Sequence, residues 1–215
     1  MRRLFDLLRT QVPVGVWWPG ESRFEIALGA VLTQNTTWSN VEIAIARLRD
    51  ADLLDPERLL ATDVEVVGDL IRSSGYYRIK AGYVHALAHW WITGDDNAQH
   101  LDTEVLRSQL LRIRGIGSET ADDLLLYVYQ RPVFIYDAYA RRLLAAAGYG
   151  EYRSYETAKR AIDPAVKKAQ FTAEELAVFH GLIVDGGKLA RRVGGWQQAY
   201  PLLVSHEFAT ATSNA

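Results

Sequence analysis

The apolar residues of this chain recur at the spacing of one helix face through most of its length, and this pattern constrains the fold more than any other feature. An early segment is typical, with apolar residues at Phe24, Ala27, Leu28, Val31 and Leu32. A spacing of three and four residues places such side chains on one side of an α-helix. Only residues 133–136 have the pattern of a strand, and a single short strand cannot build a sheet. The sequence therefore predicts an all-α fold.

The same pattern continues in later segments separated by short turns. Further helices are predicted over residues 38–48, 56–61, 64–71, 80–91, 104–113, 118–129, 138–147, 155–169 and 172–185. The Gly and Pro clusters between them are too short to link independent domains, so we expect two lobes that share one interface. Residues 209–215 are polar and of low complexity, and we expect them to form a disordered tail.

The composition excludes several classes of protein. The 215 residues carry a net charge of −2, so a histone-like or polybasic-tail binder is not expected and any nucleic-acid contact must be local. The chain contains no cysteine, which excludes disulfides, zinc–thiolate sites, iron–sulfur clusters and a thiol nucleophile. His85 and His89 have the spacing of two metal ligands, but no third ligand accompanies them, so no metal site is expected. Because no apolar run has the length of a membrane span, we expect a soluble, intracellular protein.

The most informative local segment is the turn around Gly115 and Gly117. Two glycines flank one apolar residue, Ile116, between the end of one predicted helix and the start of the next at Ser118. Glycines permit a tight turn with positive φ, and Ile116 would pack between the two helices. The free amides at the start of the second helix would then suit a backbone phosphate. The spacing is typical of a helix-hairpin-helix that binds DNA without reading sequence, although the same turn also occurs in ordinary helix pairs.

Three further motifs accompany the hairpin in a defined order. Two of them precede the hairpin: first Leu32-Thr33-Gln34-Asn35-Thr36, and then Gly75-Tyr76-Tyr77-Arg78-Ile79-Lys80-Ala81. The third is Asp137, which follows Gly117 by 20 residues and begins a predicted helix. Together with the hairpin, these motifs resemble the endonuclease III superfamily of DNA base-excision glycosylases. The resemblance spans residues 22–147 and implies a six-helix barrel lobe over residues 20–128. It also implies a second lobe from residues 1–19 and 129–208, with the active site in the cleft between the lobes.

The resemblance implies roles for individual residues. Asp137 would be the catalytic carboxylate, which stabilises the oxocarbenium-like sugar and positions the attacking water. An aspartate at this place is also a good N-cap for the helix that starts at Ala138, and the two roles are compatible. Gln34 or Asn35 would enter the space left by an extruded base, while Tyr76 would be a wedge in the opposite strand. The remaining DNA-binding residues would be Arg78, Gly115, Gly117, Glu119 and Arg141.

The chain most resembles one branch of the superfamily, the 3-methyladenine DNA glycosylases of the third type, which lack an iron–sulfur cluster. The residues that carry this resemblance are Trp17-Trp18-Pro19, Trp38 after the Gln34 loop, and the segment from Phe179-His180-Gly181 to Lys188. It implies a base pocket of Trp17, Trp18, Pro19, Trp38, His180 and Lys188. Taken alone, tryptophans are more often core residues, His180 a hydrogen-bonded helix histidine and Lys188 a solvated charge. An aromatic pocket does suit a methylated purine, because such a base is cationic and is attracted to aromatic faces.

Two departures from the superfamily pattern narrow the expected chemistry. Bifunctional members place a lysine nucleophile at the position held here by Glu119, and without an amine no Schiff base can form with the sugar. Many members also have a four-cysteine cluster, which this chain cannot form. The resemblance therefore implies a monofunctional enzyme that requires no cofactor, with a monovalent cation as a further possibility at the hairpin carbonyls.

These observations lead to one expected function and three alternatives. We expect a DNA glycosylase of base excision repair that hydrolyses the N-glycosidic bond of alkylated purines, chiefly 3-methyladenine, and leaves an abasic site. The partner would be double-stranded DNA with damaged bases, bound by a monomeric, cytoplasmic protein associated with the nucleoid. The alternatives are a glycosylase for oxidised or mismatched pyrimidines, a catalytically inactive module that binds damaged DNA, and a purely structural helical bundle.

Overall fold

A computed structural model describes residues 1–13, 15 and 18–213 of the chain, and within these residues it contains helices and no strand. The prediction of an all-α fold is therefore confirmed. The α-helices are α1 (Arg2–Gln11), α2 (Arg23–Leu32), α3 (Trp38–Asp50), α4 (Pro56–Ala61), α5 (Val64–Leu70), α6 (Tyr77–Ala98), α7 (Thr103–Leu110), α8 (Ser118–Asp123), α9 (Ala138–Ala146), α10 (Tyr155–Ala169), α11 (Ala173–Ala190), α12 (Trp196–Val204) and α13 (Phe208–Ser213). Short 3-10 turns lie at Arg72–Ser74 and Arg191–Val193.

Local capping explains where several helices begin. The Ser22 side chain accepts a hydrogen bond from the amide of Glu25 at the start of α2. Asp55 accepts one from the amide of Arg58, with Pro56 in the first helical position of α4. These side chains satisfy amides that the helix itself leaves unpaired, and proline at the first position has no amide to satisfy. The helix starts can therefore be traced to individual residues of the sequence.

The chain divides into two compact units. The central unit comprises Trp18–Arg131, and the terminal unit comprises Met1–Trp17 and Pro132–Ala215. The first carries the hairpin segment and the loop after α2, and the second carries Asp137 and the C-terminal helices. The boundaries lie two and three residues outside the expected lobe of residues 20–128.

The central unit is built around α2, whose side chains are buried on nearly every face. This helix packs against α3, α6 and α8. At its first turn the Arg23 guanidinium donates to both carboxylate oxygens of Asp95, at 2.9 and 3.0 Å, and the Tyr129 hydroxyl donates to the same carboxylate at 2.7 Å. Burial raises the pKa of Tyr129 above its ordinary value, so this hydroxyl keeps its proton and remains a donor. The buried charge of Asp95 is thus paired, as burial requires.

The terminal unit has an aromatic core. Phe179 of α11 packs against Phe5 of α1 at 5.3 Å between ring centroids, and against Phe134 at 5.4 Å and Phe171 at 5.6 Å. Arg2 of α1 donates to the carbonyl of Ala169 at 2.9 Å and forms a salt bridge with Glu175. The N-terminal helix is therefore an integral part of the C-terminal core.

The structure corrects the expected tail and one expected helix. Residues 209–213 of the expected tail belong to α13, whose first residue Phe208 is fully buried and stacks on Trp196 at 5.7 Å, while residues 214–215 lie outside the described residues. The polar composition of this segment concealed these contacts. The helix predicted over residues 118–129 is regular only to Asp123, and Leu124–Val128 then form a π-helical turn. Such turns are rare and occur frequently at functional sites.

None of the described helices combines the length and the apolar composition that crossing a lipid bilayer requires.

Candidate functional site

The hairpin between α7 and α8 depends on one glycine in particular. Gly115 has φ +89°, and a Cβ atom there would lie 2.1 Å from the ring of Tyr83. Only glycine can combine this backbone conformation with so close an approach. Ile116 is buried, as the sequence analysis predicted, whereas Gly117 and Glu119 are exposed at the start of α8. The amides at the start of a helix are groups that can bind a phosphate.

Gln34 connects the loop after α2 to the hairpin. Its amide nitrogen donates to the carbonyl of Gly115 at 2.9 Å and to the hydroxyl of Thr120 at 3.0 Å. The neighbouring Asn35 is exposed and has φ +54°, a left-handed conformation that asparagine tolerates better than most residues. The residue predicted to enter the DNA helix is therefore held by the hairpin in the free protein, while Asn35 forms the exposed tip of the loop.

The segment predicted to be a wedge projects into solvent. Tyr76 precedes α6 with φ +47°, follows Gly75 with φ +69°, and its side chain is 70% exposed. Arg78 is also exposed, and its guanidinium lies 5.4 Å from the ring centroid of Tyr77. A single exposed aromatic side chain is not unusual in itself, but at this turn the Tyr76 ring is accessible for stacking on a base.

Two of the predicted pocket tryptophans meet in the central unit. The rings of Trp18 and Trp38 are in edge-to-face contact at 5.9 Å, and Trp18 is stacked on Tyr127 at 4.7 Å. Trp17 lies outside the described residues, and Pro19 is exposed. Tyr127 was missed by the sequence analysis, because it lies in the π-helical turn that periodicity does not predict. We refer to Trp18, Trp38 and Tyr127 as the aromatic cluster.

Gly29 of α2 makes room for the aromatic cluster. A Cβ atom at this position would lie 3.3 Å from Nε1 of Trp18 and 3.5 Å from Cη2 of Trp38. One face of the Trp18 ring is covered by Tyr127, and the contact with Trp38 is edge-to-face. Because Trp18 and Tyr127 are stacked on each other, a planar base would not fit between these two rings.

Asp137 is the N-cap of α9 in the terminal unit. It is 8% exposed, and its Oδ1 accepts a hydrogen bond from the amide of Ala140 at 2.7 Å. Its Oδ2 lies 3.8 Å from Nε2 of His180, which is also buried. The capping role that the sequence analysis considered for Asp137 is therefore confirmed, and its second oxygen is oriented towards an imidazole. The helix dipole favours a negative charge at this position.

The four residues before Asp137 hold it in place. Val133, Phe134, Ile135 and Tyr136 are all buried in a segment that is neither helix nor strand. The Tyr136 hydroxyl donates to Asp163 at 2.7 Å, which fixes the segment to α10. The carboxylate thus has a position determined by packing on one side and by a helix cap on the other.

The other two predicted site residues of the terminal unit have surface positions. Lys188 is exposed and its ammonium lies 2.9 Å from Asp185, one turn earlier in α11. Arg141 donates to the carbonyl of Arg153 at 3.1 Å. Beside them, the guanidinium groups of Arg142 and Arg191 lie 4.8 and 5.2 Å from the ring centroid of Tyr139. The pocket role of Lys188 and the DNA-binding role of Arg141 stay predictions.

The described residues contain no group of three or more His, Cys, Asp or Glu side chains that could hold a metal ion. Two carbonyls of the hairpin are hydrogen-bond acceptors, since Ile113 accepts from the amide of Ile116 and Gly115 accepts from Gln34. Each carbonyl retains a second lone pair, so the hairpin remains compatible with a monovalent cation.

Comparison with known proteins places these features in a family context. A sequence profile described as "HhH-GPD superfamily base excision DNA repair protein" matches residues 28–168. A predicted DNA repair glycosylase of Methanocaldococcus jannaschii is 37% identical over 175 residues, which is 79% of this chain and 78% of the relative. Endonuclease III of Sulfolobus acidocaldarius is 29% identical over 167 residues, covering 77% of this chain and 72% of the relative.

Solved structures show the same fold. The 3-methyladenine DNA glycosylase of H. pylori bound to 1,N6-ethenoadenine is 28% identical and superposes with a TM-score of 0.69, covering 86% of this chain and 93% of that chain. A non-covalent endonuclease III–DNA complex is 18% identical and superposes with a TM-score of 0.73, covering 99% of this chain and 95% of that chain.

Proposed function

Because the chain belongs to the HhH-GPD superfamily of base excision DNA repair proteins, we propose that it is a monofunctional DNA glycosylase for alkylated purines. Its main substrate would be 3-methyladenine in double-stranded DNA, and its product an abasic site. The observation that carries the proposal is the aromatic cluster of Trp18, Trp38 and Tyr127. The similarity to a 3-methyladenine glycosylase also supports it.

The charge of the substrate explains why aromatic rings suffice for recognition. Methylation at purine N3 gives the base a formal positive charge, and each contact of a cation with an aromatic face contributes about 0.5–2 kcal/mol. When the N-glycosidic bond breaks, its electron pair passes to the cationic base, which leaves neutral. A general acid for the leaving base is therefore unnecessary, and the pocket needs only to bind the extruded base.

Asp137 would act on the sugar. Loss of the base leaves an oxocarbenium-like C1′, whose positive charge a carboxylate stabilises. Water then adds to C1′ and loses a proton, for which the carboxylate is the acceptor. Since Oδ1 is engaged with the amide of Ala140, we assign this role to Oδ2, the oxygen that lies 3.8 Å from His180.

A substitution that keeps the helix cap tests the assignment of Asp137. Asn is as good an N-cap as Asp, so Asp137→Asn should fold normally while it removes the negative charge. We expect release of 3-methyladenine from methylated DNA to fall about 10²- to 10⁴-fold. Asp55→Asn is the matched control, because Asp55 caps α4 with the same three-residue geometry, and it should retain full activity. Equal release by wild type and Asp137→Asn would remove Asp137 from the mechanism.

The absence of a lyase step is tested separately. Glu119 has no amine, so borohydride reduction of the wild-type protein with abasic-site DNA should trap no covalent adduct. Glu119→Lys supplies an amine at that position, so the same treatment should be able to trap an adduct with this variant. A trapped adduct with the wild type would contradict the monofunctional assignment.

Two other results would favour the alternative functions. Release of oxidised or mismatched pyrimidines in preference to methylated purines would replace the proposed substrate. Tight abasic-site binding without any base release would indicate a non-catalytic module.

A further inference from the structure

Lys80 is a buried lysine whose acceptors belong to two different loops. Its side chain lies in α6 and only 2% of it is exposed. Nζ donates to the carbonyl of Leu32 at 2.8 Å and to the carbonyl of Ser74 at 2.7 Å. Lysine is almost never fully buried unless it is paired, and burial here lowers the pKa of Lys80 to about 8, so the group is still an ammonium at pH 7. A buried charge of this kind invites a specific explanation.

The two carbonyls mark the starts of the two segments predicted to enter DNA. Leu32 is the last residue of α2 and directly precedes the first loop, residues 33–37, which carries Gln34 and Asn35. Ser74 directly precedes Gly75 and the exposed Tyr76, which we call the second loop. Helix-terminal carbonyls lack partners within the helix, so the ammonium satisfies acceptors that would otherwise be unpaired. Lys80 thereby connects the base of one loop to the base of the other.

A second contact joins the same two regions. The Ser73 hydroxyl donates to the carbonyl of Asn40 at 2.8 Å, and the Asn40 side chain donates to the hydroxyl of Thr36 at 3.0 Å. Thr36 belongs to the first loop and Ser73 directly precedes the residue whose carbonyl Lys80 binds. The loops are therefore held together at two places, and the Lys80 contact is the buried and charged one.

We propose that Lys80 is a positioning residue that keeps the first loop (the Gln34 loop) and the second loop (the Tyr76 loop) in a fixed mutual arrangement, so that both enter the DNA duplex together. The inference rests on the proposed function, because it concerns how the duplex is opened around the lesion. A cationic donor that satisfies two carbonyls at once costs more to bury than an apolar side chain of similar size. Such a cost is compensated when it fixes groups in the bound conformation, which reduces the ordering that binding must impose.

Lys80→Met tests the inference, because it preserves the length of the side chain and removes every donor. Backbone amides in both loops of the free protein should exchange hydrogen faster. Release of 3-methyladenine from an intact duplex should fall about 10- to 100-fold, the effect of losing buried hydrogen bonds to a charged group. The loss should be markedly smaller on a duplex with a gap opposite the lesion, because there is no opposite base for the second loop to displace.

Two further variants separate positioning from mere stability. The chain contains no cysteine, so Lys80→Cys can be aminoethylated in denaturant and refolded, which restores a side chain of lysine length with an amine. We expect this rescue to recover release from the intact duplex, while alkylation with a propyl group should not. Val84→Ala, at a fully buried position one turn further along α6, is the matched control. It creates a cavity without removing either carbonyl contact, so it should reduce release equally on both substrates.

The outcomes distinguish this inference from the proposed function. Equal losses on the intact and gapped duplexes for Lys80→Met, as for Val84→Ala, would overturn it, and so would a lack of rescue by the aminoethylated variant. If the wild type releases no base from either substrate, the proposed function fails and hydrogen exchange alone decides. Faster hydrogen exchange in both loops of Lys80→Met than in the wild type then supports the connection through Lys80, and unchanged exchange overturns it. Lys80→Gln serves for the same comparisons if Lys80→Met does not fold.

Discussion

The central and terminal units hold their candidate functional residues in different ways. In the central unit Gln34 connects its loop to the hairpin, and Lys80 connects the same loop to the segment before Tyr76. In the terminal unit Asp137 is held by its own helix and by the buried residues that precede it. A change in the central unit should therefore affect several of the predicted DNA-binding elements together. A change at Asp137 should remain local.

The largest expected change in the free energy of unfolding comes from a substitution in the hairpin of the central unit. Gly115→Ala would place a Cβ atom 2.1 Å from the Tyr83 ring at φ +89°, so we expect a loss of about 2–5 kcal/mol in the free energy of unfolding. Hydrogen exchange should increase in the Gln34 loop as well as in the hairpin. Gly117→Ala is the control, since no atom lies within 4 Å of its Cβ and its φ is −92°. Urea denaturation measures the difference, and similar losses for both variants would contradict the close approach.

The next largest expected effect is the pH dependence of the free energy of unfolding, which comes from the titration of Lys80. Its pKa is lowered from 10.5 to about 8 in the folded protein, so between these values the unfolded chain binds more protons than the native state. The free energy of unfolding should therefore rise with pH between about 8 and 10.5, by on the order of 3 kcal/mol. The comparison is wild type against Lys80→Met, which lacks the titrating amine, by urea denaturation across this pH range. A difference between the two proteins that does not change with pH would show that burial does not perturb Lys80.

The smallest effect is expected at the terminal unit. Asp137→Ala removes the cap of α9 and should lower the free energy of unfolding by about 1 kcal/mol, whereas Asp137→Asn should change it little. Increased hydrogen exchange should be confined to the first turn of α9. Exchange that also increases in the Gln34 or Tyr76 loops would break the contrast between the two units.

The features predicted correctly are those set by neighbouring residues. Apolar periodicity predicts α10 over residues 155–169 as the structure has it, and the Gly115-Ile116-Gly117 spacing predicts the hairpin. The cap at Asp137 is equally local, because it depends on the residue type and on the helix that follows. Such features are independent of how the rest of the chain packs.

The features that sequence reasoning missed depend on how separate segments of the chain pack against one another. The stacking of Tyr127 on Trp18 requires a π-helical turn, and the role of Lys80 requires carbonyls 48 and 6 residues away along the chain. The burial of Phe208 against Trp196 likewise converts an expected tail into a helix. None of these contacts leaves a signal in local composition or spacing.

Base release from a panel of lesions tests the central claim most directly. Duplexes that carry 3-methyladenine, an oxidised pyrimidine, or uracil and thymine in mismatches would be incubated with the wild-type protein, and the free bases measured. The aromatic cluster and the lack of an amine at Glu119 predict release of 3-methyladenine, abasic sites as the sole product, and no comparable release of the neutral pyrimidines. Preferential release of a neutral pyrimidine, or no release of 3-methyladenine, would contradict the account.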